Sequence, residues 1–426
     1  MTTASPSSVV TRLGRVHFTA LISMIMAMAA IGIDLMLPAF DDIRNHFGLA
    51  PDSPDVAQIV TMFLLGMAVS QYFYGPLADR FGRRPILYAG FAIYFIGALG
   101  AALAPSLDLI LLSRFVWGMG AAGPRVISVS IVRDVYSGEE MAKAMSFILA
   151  IFIMVPIIAP TLGSVLIAAF GWRSAFAFGA VMVVLIALWA RVLPETLDES
   201  DRRPINPSAI AGATWEVLTN RQTMGYTLAR TATFGAFSSY LASSERIFGE
   251  IYGRPEQFPF IFGGISAAMG VAILINTRLV DLIGARRTVH TFLSLYVVWA
   301  FVLLGATAAA GGHPSFWVFV IGLAILGGMH ALLIPNFNTI SMWPMGHIAG
   351  TASAVIGTIP VAAGALIGAV IDRQYTDSVA PLVIAFAVLG SLSFLFVLWA
   401  EGGKLFDRNG AARRDRPEIA MRPPVS

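Results

Sequence analysis

The sequence predicts an all-α membrane protein, in which twelve transmembrane helices form two pseudo-symmetric six-helix bundles. The first observation is composition: of 426 residues, 57% are hydrophobic and 12% are charged, and the mean hydropathy is +0.76. A soluble protein carries about 25% charged residues, so this chain has too few charges to cover soluble domains. The absence of cysteine excludes disulfides, thiolate metal sites and thiol catalysis.

The second observation is a series of apolar segments long enough to cross a bilayer as helices. A helical span needs about 20 mostly apolar residues, and the segments are continuously apolar rather than alternating, which excludes a membrane β-barrel. We expect the first segment to be an uncleaved helix and not a signal peptide. The twelve predicted spans are 17–39, 56–77, 86–104, 108–131, 142–168, 173–193, 222–248, 258–280, 287–309, 315–340, 348–371 and 379–400.

The third observation is the placement of the basic residues. Twenty of the 28 Lys and Arg residues fall in the loops and tails of one side, whereas the other side holds only Arg44, Arg173, Arg254 and Arg373. Cytoplasmic loops carry such an excess, so both termini are expected in the cytoplasm. Most of the basic residues therefore reflect the orientation of the chain in the membrane. The modest net charge of +3 does not indicate binding to nucleic acid.

The longest internal loop is rich in proline and charge and divides the chain into halves of six spans each. We expect a cytoplasmic N-terminal tail at 1–16, an N-terminal bundle at 17–193, a cytoplasmic linker at 194–221, a C-terminal bundle at 222–400 and a cytoplasmic C-terminal tail at 401–426. Repeated bundles of this kind are typical of membrane transporters.

A short motif is repeated in the two halves. GPLADRFGRR (75–84) lies between spans 2 and 3, and NTRLVDLIGARR (276–287) occupies the matching place between spans 8 and 9. Each copy puts an acid, a glycine and a basic pair in a tight turn, which is suited to a latch that forms in one conformation and opens in another. The alternative is an ordinary positively charged loop. The predicted latch residues are Gly75, Asp79, Arg80, Gly82, Arg83 and Arg84.

The 75–84 loop resembles the signature loop of the major facilitator superfamily. Span 4 carries LSRFVWGMGAAG (112–123), similar to the arginine motif of proton-coupled members, with Trp117 in place of the usual Gln. Span 5 carries Pro156, Pro160 and Gly163, similar to the motif of twelve-span drug/proton antiporters. IDLMLPA (33–39) in span 1 looks like the bicyclomycin-resistance (Bcr/CflA) branch.

This resemblance implies a proton-coupled efflux antiporter for partly apolar small molecules, working by alternating access in a bacterial inner membrane. Its partners would be substrate, protons and lipid, its energy source the proton gradient, and its expected state a monomer without a cofactor. The alternative within the same fold is a transporter for one endogenous metabolite or nutrient. An enzyme or a channel is disfavoured, because nucleotide-binding and metal-ligand motifs and a repeated filter sequence are absent from the sequence.

Charges inside the predicted spans are the candidate coupling residues. A charge at the bilayer centre costs about 2.5–3.5 kcal/mol on insertion scales, so such residues are usually functional. Asp34 and Arg114 are expected at similar depth, roughly 6–9 Å below the outer surface, where they would pair and bind or release a proton. The alternative is a static ion pair. Glu245 is either a second proton or cation site or a residue that extends to the outer interface.

The remaining candidates are polar or aromatic residues expected to line a cavity for bulky organic cations or neutral compounds. Arg125 either lines this cavity and attracts anionic groups or extends toward the inner interface, and His330 is either a ligand or a packed core residue. The candidate cavity residues are Tyr72, Trp117, Arg125, Phe237, Tyr240, His330 and Asn336.

Overall fold

The computed structural model describes residues 13–50, 53–375 and 377–406. The basic residue Arg12 and those beyond position 406, which contributed to the orientation argument, lie outside these ranges. The α-helices that lie wholly within the described ranges are α1 (Arg15–Asp34), α2 (Phe40–His46), α3 (Gln58–Phe81), α4 (Arg83–Leu103), α5 (Leu107–Val135), α6 (Gly138–Phe170), α7 (Arg173–Trp189), α8 (Pro207–Thr219), α9 (Arg221–Arg246), α10 (Phe258–Ile283), α11 (Ala285–Ala309), α12 (Phe316–Met342), α13 (Ala349–Asp372) and α14 (Ala380–Ala400).

Twelve helices of 17 residues or more in the described chain match the twelve predicted spans, so the predicted fold class is confirmed. By length and apolar composition alone, ten described stretches qualify as membrane spans, and one of these, Phe316–Asp372, contains both α12 and α13. The remaining long helix, α9, is rich in Ser, Thr and Arg but is buried along most of its length. A polar helix is tolerated there because it faces the protein interior.

The structure adds two elements that the apolar pattern did not predict. The first span continues past its predicted end as α2, which ends at His46. The linker contains α8, whose first turn is capped by the Asn206 side chain accepting a hydrogen bond from the backbone N–H of Ala209 at 3.2 Å. Asparagine at this position satisfies an N–H that has no partner inside the helix.

The two halves repeat the same packing. In the N-terminal half, α1 packs on α5, α6 and α7, and α5 packs on α3 and α4. The matching helices of the C-terminal half pair in the same way, with α9 on α12, α13 and α14, and α12 on α10 and α11. Between the halves, α3 packs on α13 and α6 on α10. The pseudo-symmetry relates α3 to α10 and α13 to α6. It therefore maps one of these contacts onto the other, as expected for an internal repeat.

The two ends of the bundle differ in charge. The arginine-rich end, as we name it, carries the turns at Gly82 and Gly284 and the linker 194–221, and it is the predicted cytoplasmic face. The far end carries α2 and the segment Ile247–Gln257. Between the ends, large apolar side chains such as Leu112, Val298 and Leu274 are exposed on the outer helix surfaces, as expected for contact with lipid.

Candidate functional site

The first span breaks directly after Asp34. Helix α1 ends at this residue, a turn and the short 3-10 segment Leu37–Ala39 follow, and α2 then completes the span. Pro38 has no N–H to donate to the carbonyl of Asp34, so the helical hydrogen-bond pattern is interrupted at this point. The predicted shallow depth of Asp34 is wrong, because the bent span runs to His46 and places Asp34 about 18 Å of helix from the far end.

Asp34 is a buried acid at the interface between the halves. Its side chain is 4% exposed and forms no hydrogen bond or ion pair among the described residues. The 3-10 segment that follows Asp34, Leu37–Ala39, packs on α9 of the other half. The charged form of a carboxyl group is costly to bury without a partner, so such a residue is rarely explained by stability alone.

The predicted ion pair between Asp34 and Arg114 does not form. Arg114 is fully buried, and its Nη1 and Nε atoms donate to the backbone oxygens of Gly32 at 2.8 Å and Ile59 at 3.2 Å. The guanidinium group also lies over the Phe63 ring at 4.3 Å from the centroid. Carbonyl oxygens and ring faces therefore stabilise this cation in place of a carboxylate.

Trp117 packs in the core of the N-terminal half, and the prediction that it lines a cavity is wrong. It is 2% exposed, and its ring makes edge contacts with Phe63, Tyr94 and Phe176 at centroid distances of 5.2–6.2 Å. It also covers the guanidinium of Arg114 at 4.7 Å. The replacement of the usual Gln by Trp thus supplies a ring face for the buried arginine.

The proline- and glycine-containing segment of α6 packs on the break in the first span. The helix continues through Pro156 and Pro160. A Cβ atom on Gly163 would lie 2.0 Å from the backbone oxygen of Leu35, the residue after Asp34. Only glycine permits this approach, so the span-5 motif sets the distance between α6 and the Asp34 backbone.

Arg44 of α2 joins the two halves at the far end. Its Nη2 lies 2.9 Å from Oε2 of Glu245, and its Nη1 lies 2.9 Å from Oε1 of Glu250. Asp41 contacts the same guanidinium, and Arg246 lies 3.1 Å from Glu250. This network connects the first span to the end of α9 and holds the far end closed.

Glu245 is therefore a buried, ion-paired residue in this conformation. Its side chain is 6% exposed, so the alternative of a residue that extends to the outer interface is wrong. The sequence did not single out Arg44, because it lies beyond the predicted end of span 1. The helical run of acids and bases from Asp41 to His46 was the signal that the span continues.

Three of the predicted latch residues, Asp79, Gly82 and Arg83, lie together at the arginine-rich end. Arg83 is 3% exposed and lies 2.5 Å from Asp79 and 2.9 Å from Asp134 of α5. Gly82 adopts a φ of +102° between α3 and α4, a conformation that L side chains rarely adopt. All these partners belong to the N-terminal half, so the ion-pair cluster joins α3, α4 and α5.

Glu195 of the linker caps this cluster. Its carboxylate accepts hydrogen bonds from the backbone N–H groups of Arg83 at 2.8 Å and Arg84 at 3.1 Å, at the start of α4. The linker is held further by the Arg203 N–H, which donates to the Asp79 backbone oxygen at 3.1 Å. A carboxylate at a helix N-terminus satisfies free N–H groups and the helix dipole. The sequence analysis did not single out Glu195.

The other predicted latch residues make weaker contacts. Arg80 lies over the Phe81 ring at 5.5 Å and Arg84 over the Tyr88 ring at 5.8 Å, whereas Gly75 has open space around it.

The second copy of the motif uses a different acid. Gly284 adopts a φ of +81°, and the 5%-exposed Arg286 lies 3.2 Å from Glu401 at the end of α14. Arg286 also donates to Gln222 Oε1 at 3.0 Å. The repeat therefore preserves a buried arginine at each turn but takes the carboxylate from another helix.

Two candidate cavity residues instead connect helices. The hydroxyl group of Tyr72 on α3 shares a hydrogen bond of 2.8 Å with Thr214 Oγ1 of α8, which attaches the linker helix to the N-terminal half. Asn336 is 3% exposed and donates from Nδ2 to Asn276 Oδ1 at 2.6 Å, between α12 and α10. Both side chains are engaged by the protein itself in this conformation.

Three other candidates form an aromatic wall in the C-terminal half. Phe237 stacks on His330 at 4.6 Å with an interplanar angle of 24°, and it contacts Tyr240 at 5.9 Å. His330 is fully buried, and neither ring nitrogen has a hydrogen-bond partner among the described residues. The three rings therefore connect α9 and α12.

Arg125 is half-buried on α5 and makes no hydrogen bond or ion pair among the described residues, so its role stays a prediction. Arg230 of α9 donates from Nη1 to Asn338 Oδ1 at 3.4 Å.

Asp372 is a buried acid that the sequence analysis missed. It is 4% exposed, and its Oδ1 accepts hydrogen bonds from Ser239 at 2.6 Å and Ser243 at 2.7 Å. The predicted span 11 ended one residue earlier, which placed Asp372 in a loop. The two serines, one turn apart on a polar buried helix, were the available signal.

Comparison with known proteins agrees with this architecture. Residues 21–369 match the model of the Major Facilitator Superfamily. The chain is 28% identical to a bicyclomycin resistance protein homolog of Haemophilus influenzae, over 89% of this chain and 96% of that protein. It is also 28% identical to a chloramphenicol resistance protein of Pseudomonas aeruginosa, covering 87% and 88% of the two chains.

A solved structure shows the same fold. The crystal structure of a D-xylose–proton symporter superposes with a TM-score of 0.71, over 89% of this chain and 97% of that chain, at 14% sequence identity. The likeness extends to both six-helix halves, whereas the identity is too low to transfer a substrate. With a family match over most of its length and relatives named for drug resistance, the chain belongs to the Major Facilitator Superfamily of transporters.

Proposed function

We propose that this transporter is a proton-coupled antiporter that exports small, partly apolar compounds by alternating access. The observation that carries the proposal is Asp34, a buried acid without a hydrogen-bond or ion-pair partner among the described residues, at a helix break between the halves. Buried ionisable residues in spans mark proton and substrate pathways. The names of relatives, which refer to bicyclomycin and chloramphenicol resistance, support drug-like cargo.

Asp34 is placed to couple the proton to the cargo. The segment that follows Asp34 packs on α9, which carries Phe237 and Tyr240 of the aromatic wall. Cargo that donates a hydrogen bond to the Asp34 carboxylate would stabilise its ionised form and so compete with its protonation. The proton gradient would then drive export, with no cofactor required.

The ion-pair clusters at the two ends supply the conformational switch. The Arg44–Glu245 contact joins the halves at the far end, and its opening would give cargo an exit there. At the other end, the Asp79–Arg83 cluster and the Glu195 cap hold three helices and the linker together. We place this end in the cytoplasm of a bacterial cell, with the protein as a monomer in the inner membrane and both termini inside.

The direct test is proton release from detergent-solubilised protein when a compound is added. Chloramphenicol and bicyclomycin are the first compounds to use, because relatives are named for them. We expect wild-type protein and the exposed-site control Asp42→Asn to release protons, and Asp34→Asn to release none. Undiminished release from Asp34→Asn would show that another group carries the proton.

A further inference from the structure

The buried acid Asp372 lies where α13 packs closely against α9. Gly364 and Gly368 precede it at intervals of four residues, so all three lie on one face of α13. A Cβ atom on Gly364 would lie 2.6 Å from the Phe234 ring. One on Gly368 would lie 2.9 Å from the backbone nitrogen of Ser239. The two helices therefore approach as closely as glycine allows, and their line of contact ends at Asp372.

Two serines of α9 hold one oxygen of this acid. The hydroxyl groups of Ser239 and Ser243 donate to Asp372 Oδ1 at 2.6 and 2.7 Å. The other oxygen, Oδ2, is buried and has no hydrogen-bond partner among the described residues. The ionised acid would therefore leave part of its charge on an oxygen that nothing stabilises. A proton on Oδ2 replaces this charge by a neutral hydroxyl group, which costs far less to bury.

No cation pairs with Asp372 in the described part of the chain. On α9, Glu245 pairs with Arg44, and Arg246 lies 3.1 Å from Glu250. The far-end turns of α3, α12 and α14, which also pack on α13, carry no ionisable residue, and α8 and the segment 343–348 pack at the opposite end of α13. The ionisable residues that directly follow in the chain are Arg373 and Asp377, which are exposed, and Tyr375, which is buried. The proton is therefore the simplest partner for Oδ2.

The line of contact between α9 and α13 is covered by the other half of the protein. Helix α3 packs on both α9 and α13, and the Arg44–Glu245 contact ties α2 to α9 two residues after Ser243. In this closed form Asp372 is 4% exposed. Opening of the far end would separate α2 and α3 from α9 and α13 and admit water to the acid. Water would then stabilise the ionised form, whereas closure favours the protonated form.

We propose that Asp372 is a second proton-binding site, separate from Asp34, and that its proton favours closure of the far end. This inference rests on the alternating access of the proposed function and adds to it a response to acid on the far side. On closure, Oδ2 of the carboxylate takes one proton from the far-side water, and on opening the carboxylic acid returns it. Because the closed form binds the proton more tightly, a fall in pH raises the closed fraction. The two serines stabilise the ionised form and so set the pH range of the response.

The test measures closure of the far end against pH in the full-length solubilised protein. Spin labels on Leu103→Cys and Trp317→Cys, two exposed far-end positions in different halves, report the closed and open distances. Every protein also carries Glu250→Gln, which removes another acid of the far-end network. In this parent protein, one linked proton changes the closed-to-open ratio by up to about tenfold per pH unit.

Three variants test the site itself. Asp372→Asn should abolish the remaining response and keep the far end closed at every pH, because the amide keeps an acceptor for the serines and carries no charge. Ser239→Ala and Ser243→Ala each remove one donor to Oδ1, so the midpoint should move to higher pH by about one unit. A purely structural role of the serines would change the closed fraction at all pH values without this shift.

Matched controls separate the site from general effects. Ser244→Ala changes a buried serine whose hydroxyl donates to the Leu241 oxygen at 3.1 Å, and Asp377→Asn changes an exposed acid, so both should match the parent. Replacement of Na⁺ by K⁺ should have no effect. If Asp372→Asn does not fold, the two serine variants decide. An unchanged response in Asp372→Asn, a midpoint at lower pH in the serine variants, or closure that follows Na⁺ at constant pH would overturn the proposal.

This measurement contains no cargo, so it is independent of proton exchange at Asp34. Loss of the pH response in Asp372→Asn would retain this inference even if added compounds released no protons from the wild-type protein. Proton release by added compounds, together with an unchanged response in Asp372→Asn, would retain the antiport and reject this inference.

Discussion

Arg44 of α2 and Glu245 of α9 connect the two halves through an Nη2–Oε2 contact of 2.9 Å, and their side chains are only 5% and 6% exposed. Glu250 holds the other nitrogen of the same guanidinium at 2.9 Å. A buried ion pair adds little stability compared with a packed apolar pair. Removal of one member is nevertheless destabilising, because it leaves the other charge buried without compensation. The contact therefore makes the closed far end sensitive to single substitutions.

We predict that Arg44→Gln and Glu245→Gln open the far end. Loss of Arg44 should cost the closed form on the order of 3 kcal/mol, because Glu245 then stays buried without its counterion. Glu245→Gln should cost less, because Asp41 and Glu250 still contact Arg44. The measurement is the distance between spin labels at Leu103 and Trp317, two exposed far-end positions in different halves. The chain has no cysteine, so labels attach only where cysteine is introduced.

The control for this prediction is Asp42→Asn, an exposed acid on the same short helix, which should leave the distances unchanged. The double exchange Arg44→Glu with Glu245→Arg should restore part of the closed population. If both single variants show wild-type distance distributions, the contact does not hold the far end.

A second prediction concerns the approach of α6 to the first span. Gly163→Ala places a methyl group 2.0 Å from the Leu35 oxygen, so α6 must move away from the break at Asp34. We expect folded protein with transport reduced tenfold or more, measured as efflux from inverted vesicles. Gly264→Ala, at a helical glycine with open space around it, should transport normally. Wild-type activity of Gly163→Ala would mean that this approach has no role in transport.

A third prediction concerns the linker. Glu195→Ala leaves the N–H groups of Arg83 and Arg84 without their carboxylate acceptor, which should cost about 1–3 kcal/mol. The melting temperature of the solubilised protein should fall by several degrees, whereas Glu199→Ala, an exposed acid of the same linker, should not change it. Equal melting temperatures for both variants would contradict the capping role.

A fourth prediction is a pH response at Glu250. Burial raises the pKa of this carboxyl above its ordinary 4.5 more than the charges of Arg44 and Arg246 lower it, while Asp41 adds to the rise. If the far end opened, water would reach Glu250 and return the pKa of its carboxyl group to the ordinary value. The closed form then binds the proton more tightly, so a fall in pH through the window above 4.5 favours closure.

The spin-label distances report this response directly. The closed fraction should rise as the pH falls, and Glu250→Gln should show a smaller rise because it cannot titrate. An identical pH response in the variant would assign the effect to other groups.

Much of the fold followed from apolar segment length alone. The limits of α10, α12, α13 and α14 agree with the predicted spans to within three residues, because lipid imposes a minimum apolar length. The same rule missed α2 and α8. Neither is an independent apolar span: α2 is a charged continuation beyond a proline break, and α8 lies in the linker.

The candidate site was predicted less completely, because pairing between distant helices is not encoded in spacing. Asp34 and Arg114 were both identified as buried charges, yet Arg114 bonds to the oxygens of Gly32 and Ile59. Which backbone carbonyl a buried arginine reaches depends on how the helices pack against each other, and a sequence pattern does not show this packing. The inter-half partner of Glu245 was missed for a related reason, since Arg44 was counted only as a loop charge.

The most direct test of proton coupling at Asp34 compares two transport modes of one variant. Inverted vesicles with Asp34→Asn protein should lose accumulation of chloramphenicol driven by a pH gradient, or of whichever compound the wild-type protein transports. The same vesicles should retain exchange of labelled for unlabelled compound without a gradient, because exchange needs the cargo site but no net proton movement. Gradient-driven accumulation at the wild-type rate by Asp34→Asn would contradict the assignment of the proton to this residue.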